Sequence, residues 1–326
     1  MRRLATVTPE LAEPIRLGVS SCLLGQPVRY DGGHKRDPFV VDLLGPFVEF
    51  VPFCPELELG LGVPRETIRL ERRGEAVHLV APKSGRDLTV DMARLAEKRC
   101  RELATEDLAG YVLKKDSPSC GMERVKVYAE TGMPEKSGAG AFARVLQERF
   151  PHLPIEEEGR LHDPDLRERF VVRLFGYRRV RALFAARWTM GSLVAFHTAE
   201  KLLLLAHDTA AYRRLGALVA GAKAHPRAEV AQAYFDDYMA ALEVGATRRK
   251  HVNVLQHAAG HLKKLATTDE KQELAGLIED YRTGLVPLIV PITLLRHFVR
   301  RYDVKYLQGQ RYLEPHPKEL MLLNHV

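Results

Sequence analysis

The chain has 326 residues, 46% of them hydrophobic and 28% charged, an ordinary globular composition with length enough for two domains that each bury a core. No run of about eighteen apolar residues occurs, which excludes a membrane-spanning helix by the usual length rule. The net charge of +7 is uneven: residues 1–155 hold 23 Lys+Arg against 22 Asp+Glu, and residues 156–326 hold 26 against 20, so the excess sits in the second half, where it suits a polyanion or simply an inert Arg-rich surface.

In chain order, "MRRLATVTPELAEP" starts basic but has no apolar stretch behind it. It reads as a short arm rather than an export signal, and a cytoplasmic protein is expected. "PIRLGVSSC" is strand-like and ends at Cys22. "DPFVVDLLG" has helical spacing, with Asp37 before Pro38 as the start signal. "FVEFVPFC" is β-branched and aromatic, a strand ending at Cys54. "TIRLERRGEAVHLVAPKSGRDLTV" reads as a hairpin. "DMARLAEKRCRELATEDL" is an amphipathic helix with Met92, Leu95, Ala96 and Leu103 on one side, and Cys100 belongs to its core face. "GYVLKKD" is the next strand, "GAGAFARVLQERF" a glycine-entered helix, and "LPIEEEG" a last short strand. Strands alternating with helices predict an α/β domain over residues 1–160, with a mostly parallel, Rossmann-like sheet and helices on both faces. The acidic "EEEGRLHDPD" is the expected linker. Residues 161–326 carry almost only helical patterns and predict an all-α domain, with Pro287 and Pro291 breaking or kinking its last segment.

Cys22, Cys54 and Cys120 each fall at or just after a predicted strand end, and turn chemistry follows each: "CLLGQP", "CPELELG" and "CGM". In a parallel sheet such ends meet at one edge, where ligands bind. Three thiolates without a fourth protein ligand suit a [4Fe–4S] cluster that leaves one iron open, a Lewis acid for a soft atom such as sulfur. A trio of small core cysteines is the competing reading. No C-x-x-C occurs, and a disulfide framework is not expected. Glu56 is a candidate general acid or base two residues after Cys54. Ser117 and Ser119 precede Cys120. Arg29, Tyr30 and Asp31 of "RYDGGHKR", with Lys114 and Ser119, are candidate substrate contacts. His257 and His261 at i, i+4 lack the glutamate of a metalloprotease helix. His197 and Lys201 share a helix face and suggest a polar patch. Arg248, Arg249, Lys250, Lys263 and Lys264, on one predicted helix, are the candidate RNA contacts.

"SSCLLG" with "RYDG", "CPE" with a following "G-x-x-x-PR", and "SPSCG" occur in this order. Together they resemble the thiouracil desulfidase (TudS-like) family over about residues 14–155. "FHTAEKLLLLAH", "RRKHVNVLQHAAGHLKK", "PLIVPITLL" and "YLEPHP" resemble a YbgA-like helical domain, and the pair resembles the RudS-type tRNA thiouridine desulfidases. The resemblance implies a [4Fe–4S] cluster held by Cys22, Cys54 and Cys120, with Glu56 and Ser117 in catalysis. It also implies tRNA as substrate, with 4-thiouridine converted to uridine and sulfide released. "CPELELGLGVPR" departs from the shorter "CPE-GG" form and leaves substrate size open. The alternatives are a desulfidase of free 2-thiouracil or thionucleotides, and a metal-bearing nucleic-acid-binding regulator without turnover.

Overall fold

The computed structural model describes residues 15–129, 133–185 and 187–324. The arm read from residues 1–14 lies outside them. Two compact units divide the chain, Met1–Leu166 and Arg167–Val326. Among the described residues no helix is long and apolar enough to cross a membrane.

The first unit opens with β1 (Ile15–Ser20), a tight turn of helix over Ser21–Leu24 and a π-helical turn over Phe39–Leu44. Asp37 starts the latter: its Oδ1 accepts the Val40 N–H at 2.9 Å, a capping role that fits the Asp-Pro signal. β2 (Val48–Phe53) and the one-turn α1 (Pro55–Glu58) follow, then β3 (Arg69–Arg73), β4 (Ala76–Ala81), β5 (Arg86–Asp87) and α2 (Thr89–Leu103). β6 (Leu108–Leu113), β7 (Val125–Tyr128), β8 (Glu135–Gly138), α3 (Ala141–Arg149) and β9 (Ile155–Glu157) complete it.

These strands form two sheets. The first has the order β2-β1-β6-β9 and is parallel throughout. Every residue of β6 is buried, as a central parallel strand requires. Helices flank this sheet, with α2 packed on α3. Gly18 lets β1 lie under the Tyr111 ring, because a Cβ there would stand 2.2 Å from a ring carbon. The expected hairpin is present as β3 and β4, but it belongs to a second sheet of order β5-β4-β3-β7-β8. Pairing there is antiparallel except for β3 with β7. This second sheet was not legible: β8 reads Glu-Lys-Ser-Gly, with no strand-forming side chain.

The expected linker is a further difference. Glu156, Glu157 and Glu158 are buried; the first two lie in β9 and all three belong to the first unit.

The second unit is helical, with α4 (Pro164–Ala185), which begins before the unit boundary, α5 (Met190–His207), α6 (Thr209–Gly221), α7 (Arg227–Glu243), α8 (Arg248–Gly260), α9 (Thr268–Thr283) and α10 (Ile289–Arg301). Capping boxes open α5 at Thr189 and α9 at Thr267, and Gly284 ends α9 in the left-handed region. The helical run stops at Thr283, before Pro287, while Pro291 sits in the first turn of α10, where its missing N–H costs no helical hydrogen bond. A buried ion pair ties α4 to α5: Arg179 Nε lies 2.7 Å from Glu200 Oε1. His197 does not join a surface patch with Lys201; it is buried and its Nδ1 lies 3.1 Å from the Tyr234 hydroxyl.

Candidate functional site

β1 and β2 are parallel neighbours whose register pairs Ser20 with Phe53. Their C-terminal ends therefore stand side by side, and the chain leaves each one at a cysteine. Cys22 lies in the tight turn after β1, and Cys54 stands at the head of α1, just before Pro55. β6 lies on the other side of β1, and seven residues past its end comes Cys120. The three thiols share one electrostatic neighbourhood. Burial, then Cys54, pushes the Cys22 thiol up to about 11, while Lys114 and Arg29 oppose the rise. Cys120 is raised by burial first, against a hydrogen bond from Ser20, and then by Glu56, Cys54 and Cys22. Burial also raises Cys54, which the Leu57 and Glu56 N–H groups at the head of α1 partly reverse. Three thiolates this close repel one another, so all three ionise together only around a cation. Cys100 is buried in α2, as its helix position predicts.

The loop carrying Cys120 is held from both sides. Ser117 Oγ accepts the Cys120 N–H at 3.1 Å and the Ser119 N–H at 3.3 Å. The Ala141 and Phe142 N–H groups that open α3 donate to the carbonyls of Pro118 and Ser119, each at 3.0 Å. This approach requires Gly140, whose Cβ would meet the Ser119 carbonyl at 2.6 Å and the Cys120 nitrogen at 2.8 Å.

A hydrogen-bond chain runs from that loop to α1. Ser117 Oγ and Ser119 Oγ are 3.0 Å apart, and Ser119 Oγ donates to Glu56 Oε1 at 2.7 Å. The other Glu56 oxygen accepts from Arg65 Nε at 3.0 Å and Nη2 at 2.6 Å. Arg65 also donates to the carbonyls of Gly62 and Val28, and only 4% of its side chain is exposed. With Ser119 committed to Glu56, the Ser117 hydroxyl donates to Ser119, so the chain has one direction: Ser117 to Ser119 to Glu56.

Lys114 lies beside Cys22 and is held by Glu158: its Nζ donates to Oε1, while the Lys115 N–H donates to Oε2 at 2.7 Å. Ser20 Oγ accepts the Lys114 N–H at 3.0 Å. Arg29 pairs with Asp31 at 3.6 Å and lies over the half-exposed Tyr30 ring. Their loop is tied in by the Arg65 N–H donating to the Tyr30 carbonyl at 2.9 Å. Glu56, Ser117, Ser119, Lys114 and the three cysteines thus gather at the ends of β1, β2 and β6, with Arg29, Tyr30 and Asp31 on the adjoining loop.

Among the described residues no three His, Cys, Asp or Glu stand together as ligands of a single metal ion. A single ion needs ligand sulfurs at about 2.3 Å from one point, whereas a cluster of four irons spreads its thiolates over several metals. The donor set of three soft, mutually repelling thiols fits a cluster.

The residues that sequence reasoning missed are Arg65, Glu158 and Ser20. Arg65 was visible as the arginine of "VPR", nine residues after Glu56, but nothing in the spacing said that the two meet. Glu158 was hidden in the acidic run taken for a linker.

The basic residues proposed for RNA do not share one helix. Arg248, Arg249 and Lys250 open α8, which ends at Gly260, before Lys263 and Lys264. Lys250 Nζ caps the carbonyls of His207 and Gly245. Arg248 lies over the Tyr281 ring and reaches its carbonyl. Arg249, Lys263 and Lys264 are exposed. His261 stacks on Tyr306 at 4.7 Å between ring centres.

Residues 17–158 match the family model described as 2-thiouracil desulfurase, and residues 201–317 match a family described as a protein of unknown function, DUF1722. The uncharacterized protein YbgA of Escherichia coli (strain K12) is 33% identical over 156 residues, 47% of this chain and 90% of that one. The uncharacterized protein YbbK of Bacillus subtilis (strain 168) is 32% identical over 146 residues, 43% of this chain and 95% of that one. This chain joins a 2-thiouracil desulfurase family domain to a YbgA-like domain. Among solved structures, the [4Fe-4S]-dependent thiouracil desulfidase TudS is 34% identical, with a TM-score of 0.38 over 46% of this chain and 94% of that one. In the desulfurase family domain, the matched region holds all three strand-end cysteines and the whole Ser117–Ser119–Glu56–Arg65 chain. It ends at Glu158, the residue that holds Lys114.

Proposed function

We propose that the α/β unit is a desulfidase of thiolated uridine in tRNA, 4-thiouridine in the first place. A [4Fe–4S] cluster would be held by Cys22, Cys54 and Cys120. The observation that carries this reading is the meeting of three coupled thiols with a directed proton chain ending on a carboxylate. When bound, the cluster supplies a Lewis-acidic iron to which a thiocarbonyl sulfur has affinity.

The protein's own groups do the rest. Hydrolysis exchanges the thiocarbonyl sulfur for the oxygen of one water and releases hydrogen sulfide, so no electrons are gained or lost. Arg65 engages Glu56 Oε2 and leaves Oε1 as the basic oxygen. Glu56 Oε1, to which the Ser119 hydroxyl is bonded, takes a proton from the attacking water and passes it to the departing sulfur, which leaves as hydrogen sulfide with the second water proton. Ser117 steadies the Cys120 loop and orients the Ser119 hydroxyl. Lys114 and Arg29 place positive charge beside Cys22 and favour thiolate.

The tRNA reading is supported by the +6 net charge of residues 156–326 and by exposed Arg249, Lys263 and Lys264, which offer phosphate contacts. Arg248 and Lys250 serve the helical fold itself.

The test is anaerobic reconstitution with iron and sulfide, incubation with thiolated tRNA, and nucleoside analysis. Loss of 4-thiouridine with equal release of sulfide is expected. Glu56→Gln should keep its iron and lose at least about a hundredfold in rate, the lower end of the usual range for removing a general base. Turnover of free 2-thiouracil alone would assign the free base as substrate. Turnover of neither would remove the enzyme reading.

A further inference from the structure

In the helical unit, α5 and α6 form a hairpin joined at Asp208, which ends one helix and caps the other. His197 of α5 is 4% exposed. Its Nδ1 lies 3.1 Å from the Tyr234 hydroxyl, and its Nε2 is buried with no hydrogen-bond partner among the described residues. Tyr234 is fully buried, and its hydroxyl makes that one hydrogen bond among the described residues. A buried hydroxyl spends its hydrogen on an acceptor, so Tyr234 donates to Nδ1. Burial, with the charge of Lys201 adding to it, lowers His197 from the ordinary 6.5 to about 4 and keeps the ring neutral. A neutral imidazole that accepts at Nδ1 carries its proton on Nε2. Nε2 is therefore a buried N–H donor without a protein acceptor.

That donor faces Gly216 across the hairpin. A Cβ built on Gly216 would lie 3.8 Å from His197 Nε2 and, its own chain neighbours and helix backbone aside, would meet nothing else within 4 Å. Glycine is unfavourable inside a helix, and no left-handed backbone calls for it at this position. What it supplies is room beside the imidazole. Lys201 stands one turn after His197 on the same face of α5, and residues four apart on a helix are neighbours. It is half-buried and makes no ion pair or hydrogen bond among the described residues. The adjacent acid, Glu200, has both oxygens committed to Arg179. An N–H and an ammonium stand together here with no acceptor, which suits a group that only accepts and offers more than one oxygen.

We propose that the space over Gly216, between α5 and α6, binds a small free oxyanion, a carboxylate or a phosphate, held by the His197 Nε2–H and the Lys201 ammonium. The burial of His197 suits a small ion better than a chain phosphate flanked by two sugars. The site lies wholly within the helical unit and stands whether or not the α/β unit is a desulfidase.

The test is titration calorimetry on the full chain at constant ionic strength, with inorganic phosphate and acetate as probes and chloride as the control. Saturable binding of at least one probe, and none of chloride, is expected, and the tighter probe assigns the site to phosphate or to carboxylate. Lys201→Met removes the charge from a side chain of similar reach and should weaken that binding at least about tenfold, as the loss of a charge-assisted hydrogen bond does. Gly216→Ala should weaken it by at least about as much, because its methyl enters the space beside Nε2. The methyl stands at an ordinary contact distance and alanine favours the helix, so this variant keeps its fold, which circular dichroism and a thermal melt check. No binding of either probe by the wild type would overturn the site. Binding that survives either substitution at full strength would overturn it as placed.

Discussion

Arg65 shows how one side chain can hold another in place. Its guanidinium makes four donations, two of them to one carboxylate oxygen, with almost none of its side chain exposed. Arg65→Ala would strand the Glu56 carboxylate and two carbonyls together. Breaking a buried pair this way typically costs about 3 kcal/mol or more, so urea denaturation should show a loss of that order. Arg65→Lys should recover little, because a single ammonium cannot span Glu56, Gly62 and Val28 at once. Full stability in the lysine variant would mean that the fork geometry is unimportant. The cysteines were legible because proline and glycine follow them and mark strand ends. Arg65 and Glu158 were not. A charged residue in a polar stretch normally faces water, and only the folded pairing shows that these two are buried.

At the scale of elements, the Cys120 loop and α3 form one piece. The first N–H groups of α3 donate to Pro118 and Ser119, so the loop caps the helix while the helix holds the loop. Gly140→Ala puts a methyl 2.6 Å from the Ser119 carbonyl, and backbone must yield. The expected outcome is a several-fold fall in iron bound per chain after reconstitution, with helix content by circular dichroism near that of wild type. Undiminished iron would show that the clamp is not needed for the site. The sequence showed the helix and its glycine entry, but not that the glycine is there for a neighbour's backbone. It showed the hairpin too, but not the sheet that the hairpin joins, because β7 and β8 are four residues each.

The whole molecule carries different responses to acid in its two units. Burial lowers His207 and His316 from the ordinary 6.5 to about 4. For His207, the Val244 carbonyl opposes this drop, while Lys250, Arg169 and Arg173 add to it. Above pH 6.5 both folded and unfolded chains hold these imidazoles neutral, and the stabilisation is complete. As pH falls from 6.5 towards 4, the unfolded chain takes protons that the folded one refuses, and stability is lost, up to roughly 3 kcal/mol per histidine. In the first unit, burial raises Glu157, a shift of the opposite sense that costs stability above the ordinary carboxylate range and not below it. Thermal melts at pH 7.5, 5.5 and 4.5 should show the helical unit weakening first, and His207→Gln should flatten the trend. An unchanged melting profile down to pH 4.5 would contradict the burial of these rings.

The position of β1 between β2 and β6 also sets the order of events in making the protein. Cys22, Cys54 and Cys120 meet only after parallel pairings between distant segments have formed, and such pairings are slow to nucleate. In a zinc finger the ligands are close in sequence and the metal drives folding. Here the chain must build its central sheet first, and the pocket for a cluster is a product of that assembly. On the proposed reading, insertion of a cluster is a finishing step on a folded body.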